Sequence, residues 1–379
     1  MKKKGKLIRN LIIFILLIVL TFTIIFKDNN FFDIFSIMKN AKLEFILIGI
    51  VAMCIYLSLE AINIGRTLTM LGEKSTFLKN FKYAAIGFFF SAVTPAASGG
   101  QPMQIYYMSK DDIAVSSSTI ALLLNLTSMQ ITTISMALVS VFFFYQYLNS
   151  ALVIFFVIGI MLNLSALILL LVSIFSEKLS KGIIDFVIKL LKFFKVRNIE
   201  SKKEKLNNEL EKYQKSAIFV RNNRGHLLKI ILTTLVQFTI YYSITYWTYR
   251  ALGFNQSNII TIIALQSLVY ATVSGIPSPG AVGVSEGAFM QIFKTIYPEN
   301  MISSAVLLNR GINFYLFVII CAIITIINQM KMKDNNDIEE TINNEWFWGR
   351  GQKSLCKIKN KDSRWLSLFC SFVRFRVVR

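Results

Sequence analysis

Arg310 stands eight residues into an apolar run at 302–328, and Glu286 follows directly on a proline- and glycine-rich stretch. Ionisable groups inside runs of membrane length are costly, so they mark a substrate or ion path unless a partner accounts for them. A guanidinium grips a phosphate through two parallel donors. A carboxylate opening a helix can receive an ammonium group, or pair with that guanidinium. Gly99, Gly100 and Gly283 lie where short helices begin, and amides exposed there favour a phosphate oxygen. Gln101 and Gln104 add neutral hydrogen-bonding groups beside the first of these starts. A plainer reading stands beside this one: Arg310 snorkels to an interface, and Glu286 only favours a helix start.

Other chemistry finds little support. His226, the single histidine, has no nucleophile elbow near it, so Ser-His-Asp catalysis is not expected. Cys54, Cys321, Cys356 and Cys370 lack the spacing of metal ligands. No G-x-x-x-x-G-K-[ST] loop occurs, which argues against nucleotide hydrolysis. No cofactor and no metal are expected.

The elements that must hold these groups are apolar helices. The 379 residues are 54% hydrophobic and only 16% charged, with a mean hydropathy of +0.56. A soluble surface needs more charge than that. The net charge of +20 points to basic cytoplasmic loops rather than a nucleic-acid partner. Runs long enough to span a bilayer occur at 7–26, 45–64, 119–144, 151–175, 227–249 and 302–328. The first follows Lys2, Lys3, Lys4, Lys6 and Arg9, reads as a signal anchor, and sets the amino terminus in the cytoplasm. Glu60, Asn63 and Arg66, one turn apart at the inner end of the run at 45–64, read as an interfacial cluster rather than part of a substrate path. Asn125 and Gln130, in the serine- and threonine-rich run at 119–144, read as interhelical hydrogen bonds rather than ligands.

Loop charges agree with that orientation. Residues 176–226 carry 13 Lys and Arg against 6 acids, a cytoplasmic signature, and the tail is basic as well. Within this connector, 177–195 has the pattern of a basic amphipathic helix on an anionic leaflet or beneath the bundle. A short charged helical hairpin or connector is expected at 197–224. The tail holds three of the four tryptophans and suits an interface, although a changed reading frame would alter composition similarly.

Two further apolar regions are interrupted. Residues 81–93 give way to Thr94-Pro95-Ala96-Ala97-Ser98-Gly99-Gly100-Gln101-Pro102, and 259–273 give way to a stretch holding Pro277 and Pro279. Four of the five prolines fall in these breaks, which therefore cannot be helical throughout. Both contain the pattern hydroxyl, Pro, x, Ala, x, Gly, at Thr94–Gly99 and Ser278–Gly283, 184 residues apart. Broken segments in corresponding halves point to a transporter binding site. Flanking charges suggest that the first hairpin enters from the cytoplasm and the second from outside, an inverted repeat.

The fold expected is thus an all-α polytopic membrane protein with about six full spans and two broken re-entrant hairpins. Its halves are 1–175 and 227–330, joined by the connector at 176–226 and followed by a tail at 331–379.

The same breaks carry a resemblance. Thr94-Pro95 with Ser98-Gly99-Gly100-Gln101-Pro102-Met103-Gln104-Ile105-Tyr106, then Pro277-Ser278-Pro279-Gly280-Ala281-Val282-Gly283-Val284-Ser285-Glu286, and then Asn309-Arg310 resemble three signatures of one family. It is the transmembrane region of lysylphosphatidylglycerol synthases, also called flippase-like proteins. The resemblance implies a bacterial inner-membrane protein with both termini inside, handling a phospholipid in the membrane, and in some relatives a link to antibiotic resistance. In full-length relatives a cytosolic domain moves lysine from lysyl-tRNA to phosphatidylglycerol. About 50 residues follow the last span here, too few for such a domain. The leading expectation is a flippase-like protein that binds or translocates an anionic or aminoacylated phospholipid, with no nucleic-acid partner of its own. The alternative is a phosphatidylglycerol lysyltransferase or a subunit of one. A partner enzyme or a homo-oligomer is compatible with either.

Overall fold

The computed structural model describes residues 39–94, 97–147, 150–176, 182, 199–274, 276 and 279–330. The expected signal anchor at 7–26, most of the amphipathic stretch at 177–195, the tail at 331–379, and Pro95 and Pro277 lie outside the described residues. Contacts divide the chain into residues 17–325 and a second unit of 1–16 with 326–379. The first unit holds everything discussed below.

Among the described residues the chain is helical, with no strand. In order the helices are α1 (Leu43–Met70), α2 (Phe77–Val93), α3 (Gly100–Lys110), α4 (Val115–Phe144), α5 (Ser150–Phe175), α6 (Ile199–Asn222), α7 (Arg224–Ala251), α8 (Ile259–Val273), α9 (Val284–Phe293) and α10 (Glu299–Met330). Five of them, α1, α4, α5, α7 and α10, are long and apolar enough to cross a membrane. They coincide with the five spans expected between residues 45 and 328.

Two helix starts are capped by a side chain. Thr76 accepts from the Lys79 amide to open α2, and Asn258 accepts from the Thr261 amide at 2.8 Å to open α8. These side chains satisfy amides that have no partner inside the helix. Within the connector, where a short charged hairpin or connecting segment was expected at 197–224, the chain forms one continuous helix, α6. Ala217 and Val220 of α6 pack against Ile120, Leu124, Ile174 and Ile230, and the Tyr213 hydroxyl donates to the Ser173 carbonyl at 2.7 Å. Two buried side chains one turn apart give this polar helix an apolar seam, so it need not fold back on itself.

α1 and α7 run antiparallel along most of their length. The Lys42 amide donates to Ala251 at one end, and Asn63 Nδ2 donates to Thr234 Oγ1 at 3.0 Å near the other. Met53, Tyr56 and Leu57 meet Phe238 and Tyr242 between these points. Side chains such as Leu47, Val51, Phe142, Phe143, Ile154 and Met161 are exposed on outer faces. On a chain of this composition such faces are solvated by lipid. The interior is more polar than the outside: Ser128 bonds Thr234 at 2.9 Å, Ser267 bonds Ser140 at 2.8 Å, and Thr245 bonds both Gln266 and Asn309. Hydroxyl and amide pairs of this kind join helices in hydrocarbon, where apolar contact alone gives no preference.

Candidate functional site: a polar cavity between two helix breaks

Both interrupted regions form helical hairpins, α2 with α3 and α8 with α9. The chain leaves α2 at Val93, takes a left-handed turn at Ala97 (φ 53°), and enters α3 at Gly100. It leaves α8 at Val273, takes a left-handed turn at Ala281 (φ 53°), and enters α9 at Val284. Ala97 and Ala281 are separated by the interval of the sequence repeat, and Asp112 is the only other non-glycine at positive φ among the described residues. An alanine there costs about 1–2 kcal/mol, so tertiary contacts must hold both turns in place. The first break is shorter than its composition suggests. Pro102 sits in the first turn of α3, where a proline costs no helical hydrogen bond. Pro279 lies in a single 3-10 turn, Pro279–Ala281.

The breaks touch. Gly280 (φ 59°) presents its bare Cα to the Phe314 ring, and a Cβ there would stand 2.2 Å from Cζ and 3.2 Å from the Ala92 carbonyl oxygen. Beside them lies a cavity of about 630 Å³, walled by Ala97, Ser98 and Gln101 from the first break and Gly280, Ala281 and Ser285 from the second. In hydrocarbon, irregular backbone is tolerated only against protein or a wet cavity. Here both breaks lie against protein and line this cavity.

Glu286 and Arg310 line the cavity, 2% and 9% exposed, and form an ion pair with Nε donating to Oε1 at 2.8 Å. Glu286 Oε2 accepts from the Gly283 amide and the Ser285 hydroxyl, both at 2.8 Å. Arg310 Nη2 donates to the Gly280 carbonyl at 2.9 Å, and its guanidinium lies 4.1 Å from the Phe314 ring centroid. A π turn at Gly311–Tyr315 follows Arg310 directly. Asn309, Arg310, Asn313 and Phe314 all face the cavity, since residues at these spacings share one side of a helix. Tyr315 from the same turn reaches Glu286 Oε1 at 3.4 Å.

The other candidate residues are placed as follows. Gln101 lines the cavity from α3. Gln104 lines it too, is 2% exposed, and donates from Nε2 to the Tyr83 carbonyl at 3.1 Å. The Gly99 amide donates to Thr94 Oγ1 at 2.9 Å, so both it and the Gly283 amide are met within the protein. Gly100 is the first residue of α3 and is buried.

Two expectations need correction. Glu60, Asn63 and Arg66 read as one interfacial cluster, yet they diverge: residues three apart on a helix are rotated by about 60°. Asn63 and Arg66 bond to Thr234 and Thr233 of α7, whereas Glu60 faces the cavity ten residues before the end of α1. Asn125 and Gln130 read as interhelical hydrogen bonds. Both line the cavity instead, and Asn125 Oδ1 and Gln130 Oε1 have no partner. No sequence signal set Glu60 apart: it stands four residues before the end of the apolar run at 45–64, where an interfacial residue would also stand.

Fold and site together define a multi-pass α-helical membrane protein with a cavity beside two helix breaks, largely apolar in its lining but carrying an ion pair and a further carboxyl group. The family profile described as "Lysylphosphatidylglycerol synthase TM region" matches residues 7–321, and the chain belongs to that family. Two archaeal proteins are similar along most of their length. A UPF0104 membrane protein of Pyrococcus horikoshii is 23% identical over 304 residues, 78% of this chain and 90% of its own. One of Archaeoglobus fulgidus is 22% identical over 315 residues, 82% and 94% respectively.

Proposed function

We propose that the protein binds an anionic or aminoacylated phospholipid by its headgroup and carries it between leaflets, working by alternating access around the two breaks. The observation that carries this reading is the buried Arg310–Glu286 pair on the wall of a cavity shared by both breaks. A headgroup phosphate exchanges with Glu286 for the guanidinium, which has N–H donors beyond the two in its bonds to Glu286 and Gly280. Because the pair is satisfied without substrate, the empty cavity carries no unpaired arginine, which lowers the cost of the unloaded state. In this reading both termini lie in the cytoplasm of a bacterial cell.

Reconstitution tests the proposal. Proteoliposomes with a fluorescent phosphatidylglycerol in both leaflets should show protein-dependent exposure of inner-leaflet lipid to a membrane-impermeant quencher. The double variant Glu286→Gln, Arg310→Met should slow it by at least about ten-fold, the usual scale for losing a charge-assisted contact. Equal rates with and without protein would remove the transport reading. Transfer of labelled lysine from lysyl-tRNA to phosphatidylglycerol by the same preparation would establish the transferase alternative instead.

A further inference from the structure

The cavity contains a second acidic group that the Arg310–Glu286 pair does not involve. Glu60 projects from α1 into the same space, one turn beyond Tyr56 on the same helix face. Among the described residues no lysine, arginine or histidine forms an ion pair with it. Its side-chain hydrogen bond is to Gln104, whose position depends on Gly87: a Cβ there would fall 2.3 Å from Gln104 Nε2. The formal charges on the cavity wall are then Arg310 positive and Glu286 and Glu60 negative, a net of minus one.

The surroundings of Glu60 are aromatic. Tyr56, Tyr241 and Tyr270 line the cavity with it, and Tyr56 and Tyr270 lie within electrostatic reach of its carboxylate. The Tyr56 and Tyr241 rings are 4.8 Å apart, and Tyr241 and Tyr270 6.1 Å apart. Three further acceptors on the cavity wall lack a donor among the described residues: Asn125 Oδ1, Gln130 Oε1 and Asn313 Oδ1. A carboxylate in a cavity lined by tyrosines, with spare carbonyl oxygens, has the complement of an ammonium group.

The geometry points to Glu60, with Tyr56, Tyr241 and Tyr270, as the subsite for the ammonium group of a lipid headgroup whose phosphate is met by Arg310. The inference rests on the headgroup-binding reading above and narrows it to headgroups that carry both charges. A phosphate-only headgroup would add negative charge to a cavity that is already net negative, and a zwitterionic one would not. Tyr241 lines the same cavity as Glu60 and Arg310.

Native mass spectrometry of the purified full-length protein, titrated with dioleoylphosphatidylethanolamine or dioleoylphosphatidylglycerol, tests this. The wild type should prefer the ethanolamine lipid. Glu60→Gln, which retains size and a hydrogen-bonding partner for Gln104, should weaken that lipid about ten-fold and leave the glycerol lipid within about two-fold. Tyr270→Leu, which removes the ring, should lose about three-fold for the ethanolamine lipid alone. Unchanged preference in Glu60→Gln, or equal loss for both lipids, overturns the ammonium subsite while leaving the headgroup reading in place. Binding of neither lipid by the wild type removes both. Competition by glycerophosphoethanolamine, at concentrations as low as those of the lipid, overturns the assignment to a membrane-borne ligand.

Discussion

At the first break Thr94 Oγ1 accepts from the Gly99 amide at 2.9 Å; at the second, Glu286 Oε2 accepts from the Gly283 amide at 2.8 Å. Each bond satisfies a backbone donor that the start of a short helix leaves without a partner. The backbones also agree, with Ala97 and Ala281 both at φ 53°. The chemistry does not. A hydroxyl five residues upstream is a neutral, local solution. A carboxylate three residues downstream brings a buried charge, and that charge requires Arg310 from another helix. The second break is therefore tied to α10 and its π turn, whereas the first is closed within its own hairpin. Two segments with one backbone design thus differ in how far a change at either one spreads.

The largest expected effect attacks the charge. Arg310→Met leaves Glu286 buried and uncompensated, and should destabilise the protein by about 3–5 kcal/mol. Unfolding in detergent micelles measures it, and adding Glu286→Gln should restore part of the loss. A second break that tolerated Arg310→Met alone would be as self-contained as the first. Gly280→Ala should come next, at about 2–3 kcal/mol in the same measurement, because Phe314 fills the space a methyl would need and φ is positive. It should also loosen α10, visible as faster amide exchange near residues 311–315.

Thr94→Val probes the neutral counterpart. It removes one acceptor while preserving shape, and should cost about 1 kcal/mol, with exchange accelerating only around residues 99–103. A cost matching that of Arg310→Met would erase the distinction between the breaks. Smallest are Ala97→Gly and Ala281→Gly, each expected to stabilise by about 0.5–1 kcal/mol as the left-handed strain is relieved. Equal gains would sharpen the claim that the two turns are one design used twice. Opposite signs would show that their shared φ conceals different support.

How much of this was legible in the sequence follows from the kind of signal each feature leaves. Apolar length located α1, α4, α5, α7 and α10, because a bilayer-length helix needs an uninterrupted run. Proline and glycine located both breaks, but not the point where α3 resumes, since Pro102 is compatible with a first helical turn. Arg310 and Glu286 stood out as ions in apolar surroundings, and their pairing was one of two readings. Glu60 was misplaced because its three-residue spacing to Asn63 and Arg66 suggested a single face. Asn125 and Gln130 were misplaced because an amide in a serine- and threonine-rich helix looks the same whether it faces a neighbour or a cavity.

The sequence by itself determined the membrane-spanning character, the span positions, the two interruptions and their repeat. These depend on composition and on backbone chemistry, both local to the chain. Tertiary structure alone decided that the breaks share one cavity, that Arg310 is neutralised by Glu286, and that Glu60 faces the same space. Those facts depend on how each helix is rotated about its axis and on which neighbour it faces. Packing of neighbouring helices sets both, and no spacing along one helix records it.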